Sequence, residues 1–373
     1  MKISKGTGAL LLLSVFSVSC SSFRTTERMA ATTAAATPAE GMAQVDRTMA
    51  NWPARPRLAV EEMTAKYGEP LEVTSEQITW HNKGPYTRIM VTKKEIPHDF
   101  PKPHMDFLEH TVNYNVPADK VDDLVAFDGS VTVNRTAGEL SARCDLEGHN
   151  VLTLNLANDI IRGEKSYQQA RTAFGNYVVE DVKGNHPGYV EKLQFEPHSF
   201  SKAAFADKPV IPGSPVRVPA SDKSPQGGDA EIMAFVIAAD DNEVLASSEA
   251  QKKKINAEVM SYAKMLHKEH GKNQGTIMKL GKDIKVVPAD TTAVDQLRVK
   301  GAQELAKLIP LDGREFEKAY ITAMIKNHNE VLAMIDNKLI PGAQDKALKT
   351  QLSKTRDHVA MHLEHAKKIE ATL

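Results

Sequence analysis

The chain has 373 residues, room for two domains and the connections between them. Apolar residues make up 41% and charged residues 25%, a balance that supports packed cores and excludes a chain disordered throughout. The 47 basic and 48 acidic side chains leave a net charge of −1, which argues against a protein built mainly to bind nucleic-acid phosphates, and no run after residue 20 approaches the roughly 18 apolar residues of a membrane span.

Lys2 and Lys5 precede an apolar run from Ala9 to Val18, broken by Ser14 and Ser17, that is too short to span a bilayer and has the anatomy of a secretory signal. Its end, Ser17-Val18-Ser19-Cys20, resembles the lipobox of bacterial lipoproteins, with Ser17 where Leu, Val or Ile is usual. The resemblance implies a lipoprotein signal peptide over residues 1–19, diacylation of Cys20 and, because Ser21 rather than aspartate follows, a lipid-anchored place on the outer membrane facing the periplasm. A plain signal-peptidase cut nearby is the alternative. Lipidation of Cys20 leaves Cys144 as the single thiol, without a disulfide partner, and SARCDLEG around it reads as a half-buried structural site. Residues 20–52, small and rich in Thr and Ala, read as a flexible tether.

From 53 to 199 the periods mix, which predicts an α+β domain. A helix is expected from Arg55 to Tyr67 with Leu58, Val60, Met63 and Tyr67 inward, stopped by Gly68 and Pro70. Strands are expected at Glu76 to Trp80, Thr87 to Thr92, Glu109 to Val116 and Ser130 to Val133, with a short helix near Ala118 to Ala126 and helices at Gly148 to Ile161 and Ser166 to Val182. The stretch as a whole, through KYGEP, TWHNKGPY, PHDFPKPH, FDGSV and LNLANDI, resembles segments of uncharacterised bacterial envelope proteins and brings no activity with it. PHDFPKPHMDFLEH concentrates imidazoles and carboxylates, with His98, His104 and Asp106 as candidate ligands for a divalent metal. Prolines 97, 101 and 103 equally suit a stiff surface bend whose polar side chains face water.

Residues 200–229, rich in proline, glycine and serine, read as a linker, and 230–373 as an all-α domain. Four long helices are expected over about 230–253, 256–280, 313–337 and 343–371, with a crossover between the second and third that carries its own helix near Thr292 to Leu308. This is the outline of a ferritin-like four-helix bundle. YAKMLHKEH, the Asp312-Gly313 turn into FEKAYITAMIKNH, and HLEHAKKI resemble the signature helices of the domain-of-unknown-function 4142 family, exported bacterial proteins assigned that fold. The resemblance implies no established reaction. The family's recurrent histidines fall on His270, His328 and His362, and its first-helix acid on Glu243.

Those four residues sit in otherwise apolar stripes, and buried polar groups must be hydrogen-bonded or bound to something. A di-iron oxidase would need Glu-x-x-His on two of the helices, and neither His270 nor His362 has a glutamate three residues earlier. Counting residues from the helix ends places His270 and His328 at one level and Glu243 with His362 about 10 Å away, which favours two polar pairs over one four-ligand site. His267, His358 and His365 flank the stripes and are expected at the surface. There is no Gly-x-Ser-x-Gly, no phosphate loop and no His-Glu-x-x-His, so no enzyme class is indicated. Two functions follow: a non-enzymatic, lipid-anchored envelope protein that meets a protein partner, or a metal-binding storage or protective protein that uses the bundle histidines.

Overall fold

The computed structural model describes residues 38–204, 207–218 and 228–373, with side chains described from residue 43 onward. The signal segment, Cys20 and the middle of the proline-rich stretch lie outside the described residues. The chain divides into two compact units, Met1–Ala206 and Asp207–Leu373, the first α+β and the second a helical bundle. Among the described residues no helix is long and apolar enough to cross a membrane.

The first unit opens with α1 (Pro38–Met49) and α2 (Ala54–Tyr67). The tether reading of residues 20–52 is therefore corrected over its last part: α1 is a helix, and Val45, Met49 and Trp52 are buried in the core. The run looked polar because only one residue per turn faces inward. On α2 the buried stripe is Pro56, Ala59, Val60 and Met63, an i, i+3, i+4, i+7 set, while the expected inward Leu58 is exposed.

An antiparallel sheet follows: β1 (Glu72–Val73), β2 (Gln77–Lys83), β3 (Tyr86–His98), β4 (His104–Asn113), β5 (Thr132–Asn134) and β6 (Glu139–Cys144), in the order β1-β2-β3-β4-β6-β5. The proline-broken stretch is less of a loop than expected, for β3 runs on to His98 and pairs it with His104, leaving only residues 99–103 as the connection. β6 has no counterpart in the sequence reading. Between β4 and β5 lies α3 (Val121–Phe127), and α4 (Glu147–Ile161) and α5 (Tyr167–Val182) follow the sheet. Helix α4 is buried all round from His149 to Ile160, which marks it as the central helix of the unit. Its buried amides tie it to its neighbours: Asn150 donates to the Leu108 carbonyl and Asn155 to those of Tyr189 and Lys192.

Two short helices, α6 (Gly188–Glu191) and α7 (Phe200–Ala203), close the unit. Residues 200–204 were expected in the linker, yet Ala203 and Ala204 are buried against the backbone of Gly138 in the β5–β6 turn. On the other side of the unit boundary, β7 (Val216–Arg217) pairs in parallel with β8 (Ala289–Asp290), and Gly213 lies against the Met278 backbone. Both described ends of the proline-rich stretch are thus docked on their own units.

The second unit consists of α8 (Asp229–Ala250), α9 (Ala257–Ile284), the crossover helix α10 (Thr292–Leu308), α11 (Gly313–Met334), a π-helical turn at Ile335–Leu339 leading into α12 (Ile340–Gly342), and α13 (Lys346–Glu370). Asn256, Thr291, Asp312 and Asp345 accept backbone N–H groups at the starts of α9, α10, α11 and α13. Asp229 reaches from α8 to accept the amides of Gln344 and Asp345, which pins the starts of α8 and α13 at one end. The π turn extends the helix to Gly342, where it ends, and Ala343 to Asp345 turn the chain into α13.

The apolar core of this bundle is in two main parts. One surrounds Tyr262, Phe316 and Tyr320; the other surrounds Ile237, Ile277 and Leu352. Between them lies a layer of buried polar residues: Asp240, Glu243, His270, His328, Thr355 and His362.

Candidate metal centre

Helices α9, α11 and α13 each contribute one imidazole to that layer. The ring centroids of His270 and His362 are 5.1 Å apart, those of His328 and His362 5.6 Å, and those of His270 and His328 5.8 Å. One nitrogen of each ring lies within 4.8 Å of the others. The expected separation into two levels is therefore corrected: His362 shares the level of His270 and His328. At the end of the bundle opposite Asp229 the helix ends are staggered, so equal residue counts there do not mean equal levels. From the end pinned by Asp229, Glu243, His270, His328 and His362 all lie about 14 to 16 residues in, or roughly 21 to 24 Å.

Each ring is held by one nitrogen. His270 Nδ1 is 2.8 Å from Asp240 Oδ1, His362 Nε2 is 2.7 Å from Glu269 Oε2, and His328 Nδ1 donates to the Met324 carbonyl at 2.8 Å. The opposite nitrogens, His270 Nε2, His328 Nε2 and His362 Nδ1, are buried without a hydrogen-bond partner, and so is Glu243 Oε2. A buried imidazole nitrogen left bare forfeits a hydrogen bond to water, about 1–3 kcal/mol each. Carboxylate or carbonyl on one ring nitrogen and a lone pair on the other is the arrangement in which protein histidines bind metals.

Electrostatics favour lone pairs at two of the three rings. Burial, with His270 and His362 alongside, pushes His328 down to about 3. Burial also brings His362 down to about 4, against the pull of Glu269. His270 moves the other way, because the hydrogen bond and charge of Asp240 outweigh its burial, and burial pushes Glu243 up to about 7. Beside the rings is a cavity of about 20 Å³ lined by Asp240, Glu243, His270, His328 and apolar side chains including Val331 and Val359. That is room for about one water or one ion. Glu269 and Thr355 also line an open surface groove, so the partner of His362 connects the layer to solvent.

The remaining histidines of the bundle are not part of the layer. His358 is exposed, His365 packs edge-on to Tyr262, and His267 Nδ1 lies 3.2 Å from both Ser248 Oγ and Gln251 Nε2. Sequence reasoning missed Asp240 and Glu269. Asp240 lies one turn before Glu243 on the same stripe of α8, so helical periodicity could have found it. Glu269 follows no such rule, since its partner is on α13.

In the first unit, His98, His104 and Asp106 do come together, because β3 and β4 pair His98 directly opposite His104. Their rings are 4.9 Å apart, with Asp106 Oδ2 3.1 Å from His98 Nδ1 and Asp106 Oδ1 3.0 Å from His104 Nε2. Two other polar residues of the motif are engaged elsewhere: Glu109 accepts from Arg143, and His110 is buried beside Asn150.

A helical bundle with a buried three-imidazole layer defines the second unit. Residues 214–369 match the model of the family described as Domain of unknown function (DUF4142). No curated protein and no solved structure matches the chain.

Proposed function

We propose that the bundle binds one transition-metal ion through His270, His328 and His362, with Glu243 as the adjacent acid, and that the protein serves as a metal-binding component of the bacterial envelope. The observation that carries this reading is the convergence of three buried, unpartnered imidazole nitrogens whose opposite nitrogens are all fixed. An all-imidazole donor set suits zinc, copper or iron rather than magnesium or calcium. Asp240, Glu269 and the Met324 carbonyl orient the rings, and apolar side chains flank the centre. Elemental analysis of untagged full chain, purified without chelator, tests it: His270→Ala is expected to hold about one equivalent of metal less than the wild type. Equal metal content in both chains would reject the bundle site.

The lipobox-like Ser17-Val18-Ser19-Cys20 supports a lipid anchor at Cys20 and an outer-membrane location facing the periplasm. In a bacterial host, Cys20→Ala should then accumulate as unprocessed precursor and lose detergent partitioning of the mature form. Normal processing of that variant would remove the anchor from this reading.

A further inference from the structure

The first unit holds a thiol among metal-binding side chains. Cys144 ends β6 and is buried, with Sγ 3.2 Å from His104 Nε2 and 3.3 Å from Asp145 Oδ1. His104, Cys144 and Asp145 each offer a ligand atom within 4.8 Å of the others. His104 Nδ1, 2.8 Å from the Lys102 carbonyl, donates to it, which leaves Nε2 to face both the thiol and Asp106. Asp106 Oδ1 lies 3.0 Å from the same Nε2, and this contact raises His104 above its ordinary pKa, so in the metal-free chain a proton sits between the two atoms. An anionic oxygen and an imidazole lone pair facing each other repel unless a proton or a cation lies between them.

We propose that His104, Cys144 and Asp145 bind a divalent ion of the zinc class, with Asp106 as the adjoining carboxylate. Binding replaces two protons: Cys144 gives up S–H to form a thiolate–metal bond, His104 Nε2 gives up the proton it shares with Asp106 to form a nitrogen–metal bond, and both protons pass to solvent. Without metal, burial holds the Cys144 thiol well above its ordinary pKa, so the group is neutral and a poor nucleophile. A buried thiol suits a closed structural site better than a reactive one. His149 Nδ1, 3.3 Å from Asp145 Oδ1, steadies the carboxylate. This centre is independent of the bundle and differs from it chemically, because the bundle layer contains no sulfur.

The test uses the full chain carrying Cys20→Ser, so that Cys144 is its one thiol, and titrates it with cobalt(II) as the zinc surrogate. A thiolate-to-cobalt charge-transfer band in the near ultraviolet is expected, abolished by Cys144→Ser and shifted to about 100-fold higher cobalt concentration by His104→Gln. The visible absorption of imidazole-bound cobalt should persist in Cys144→Ser; its absence there, with the thiolate band intact in the parent, would count against the bundle centre alone. Cobalt binding with no thiolate band in the parent chain overturns the proposal without reference to any variant, and so does a band that His104→Gln leaves in place.

Discussion

Zinc or copper at about 100 times its dissociation constant is expected to raise the melting temperature of the full chain by about 5 to 10 °C, and His328→Ala should abolish the bundle's share of that shift. The magnitude follows from linkage. An ion that binds only the folded state adds about 2.7 kcal/mol at that excess, and about 1 kcal/mol moves a domain of this size by roughly 2 to 4 °C. His328 supplies one of only three imidazoles, and two cannot hold the ion as three do. His365→Ala, which removes a ring packed on Tyr262 outside the layer, should keep the shift. Metal-free stability gives the second half of this prediction. His328→Ala opens a cavity and costs about 1 to 3 kcal/mol. His328→Leu fills the space and removes a buried bare nitrogen, so the metal-free variant should be as stable as the wild type or more so while failing to bind metal. A layer kept at the expense of stability is what a binding site predicts. Calorimetry on the metal-free and metal-loaded chains checks both halves; no shift with zinc, copper, iron or cobalt would reduce the layer to core packing.

Gly138→Ala should destabilise the first unit by about 3 kcal/mol or more. Gly138 has φ +70°, a conformation that costs a side-chain-bearing residue about 1 kcal/mol or more, and the added Cβ would stand 2.3 Å from the Ala203 carbonyl carbon and 2.5 Å from the Ala204 nitrogen. Backbone cannot rotate aside as a side chain can. The outcome is either a lower urea midpoint or release of residues 200–204 from the β5–β6 turn, which limited proteolysis at that segment would detect. A wild-type midpoint together with wild-type protection would mean that the segment is not docked there.

These two positions also mark the boundary between what the sequence determines and what it leaves open. Periodicity alone places the bundle helices, because α9 repeats Val259, Ala263, Leu266, His270 and Ile277 on one face and α13 repeats Leu348, Leu352, Thr355, Val359, His362, Ala366 and Ile369. The same periodicity puts the three histidines and Glu243 inside, where a polar group needs a partner. It also gives the mixed α+β character of the first unit, while the strand pairing that brings His98 to His104 emerges only in the folded chain.

Tertiary structure decides the rest. Whether His362 joins His270 and His328 depends on how helices from distant parts of the chain are aligned end to end, and Asp229 sets that alignment by accepting amides 115 and 116 residues away. Glu269 meets His362 across 93 residues, and Cys144 meets His104 across 40, contacts that no local period encodes. The segments 38–52 and 200–204 likewise read as tether and linker, because a few buried side chains on short helices leave a faint pattern until the surface that receives them exists. Helical and strand periods are local consequences of backbone geometry and are written in adjacent residues. A metal centre is a coincidence of donors in space, fixed by packing between elements, so the sequence by itself names its candidate ligands and only the folded chain chooses which of them share a centre.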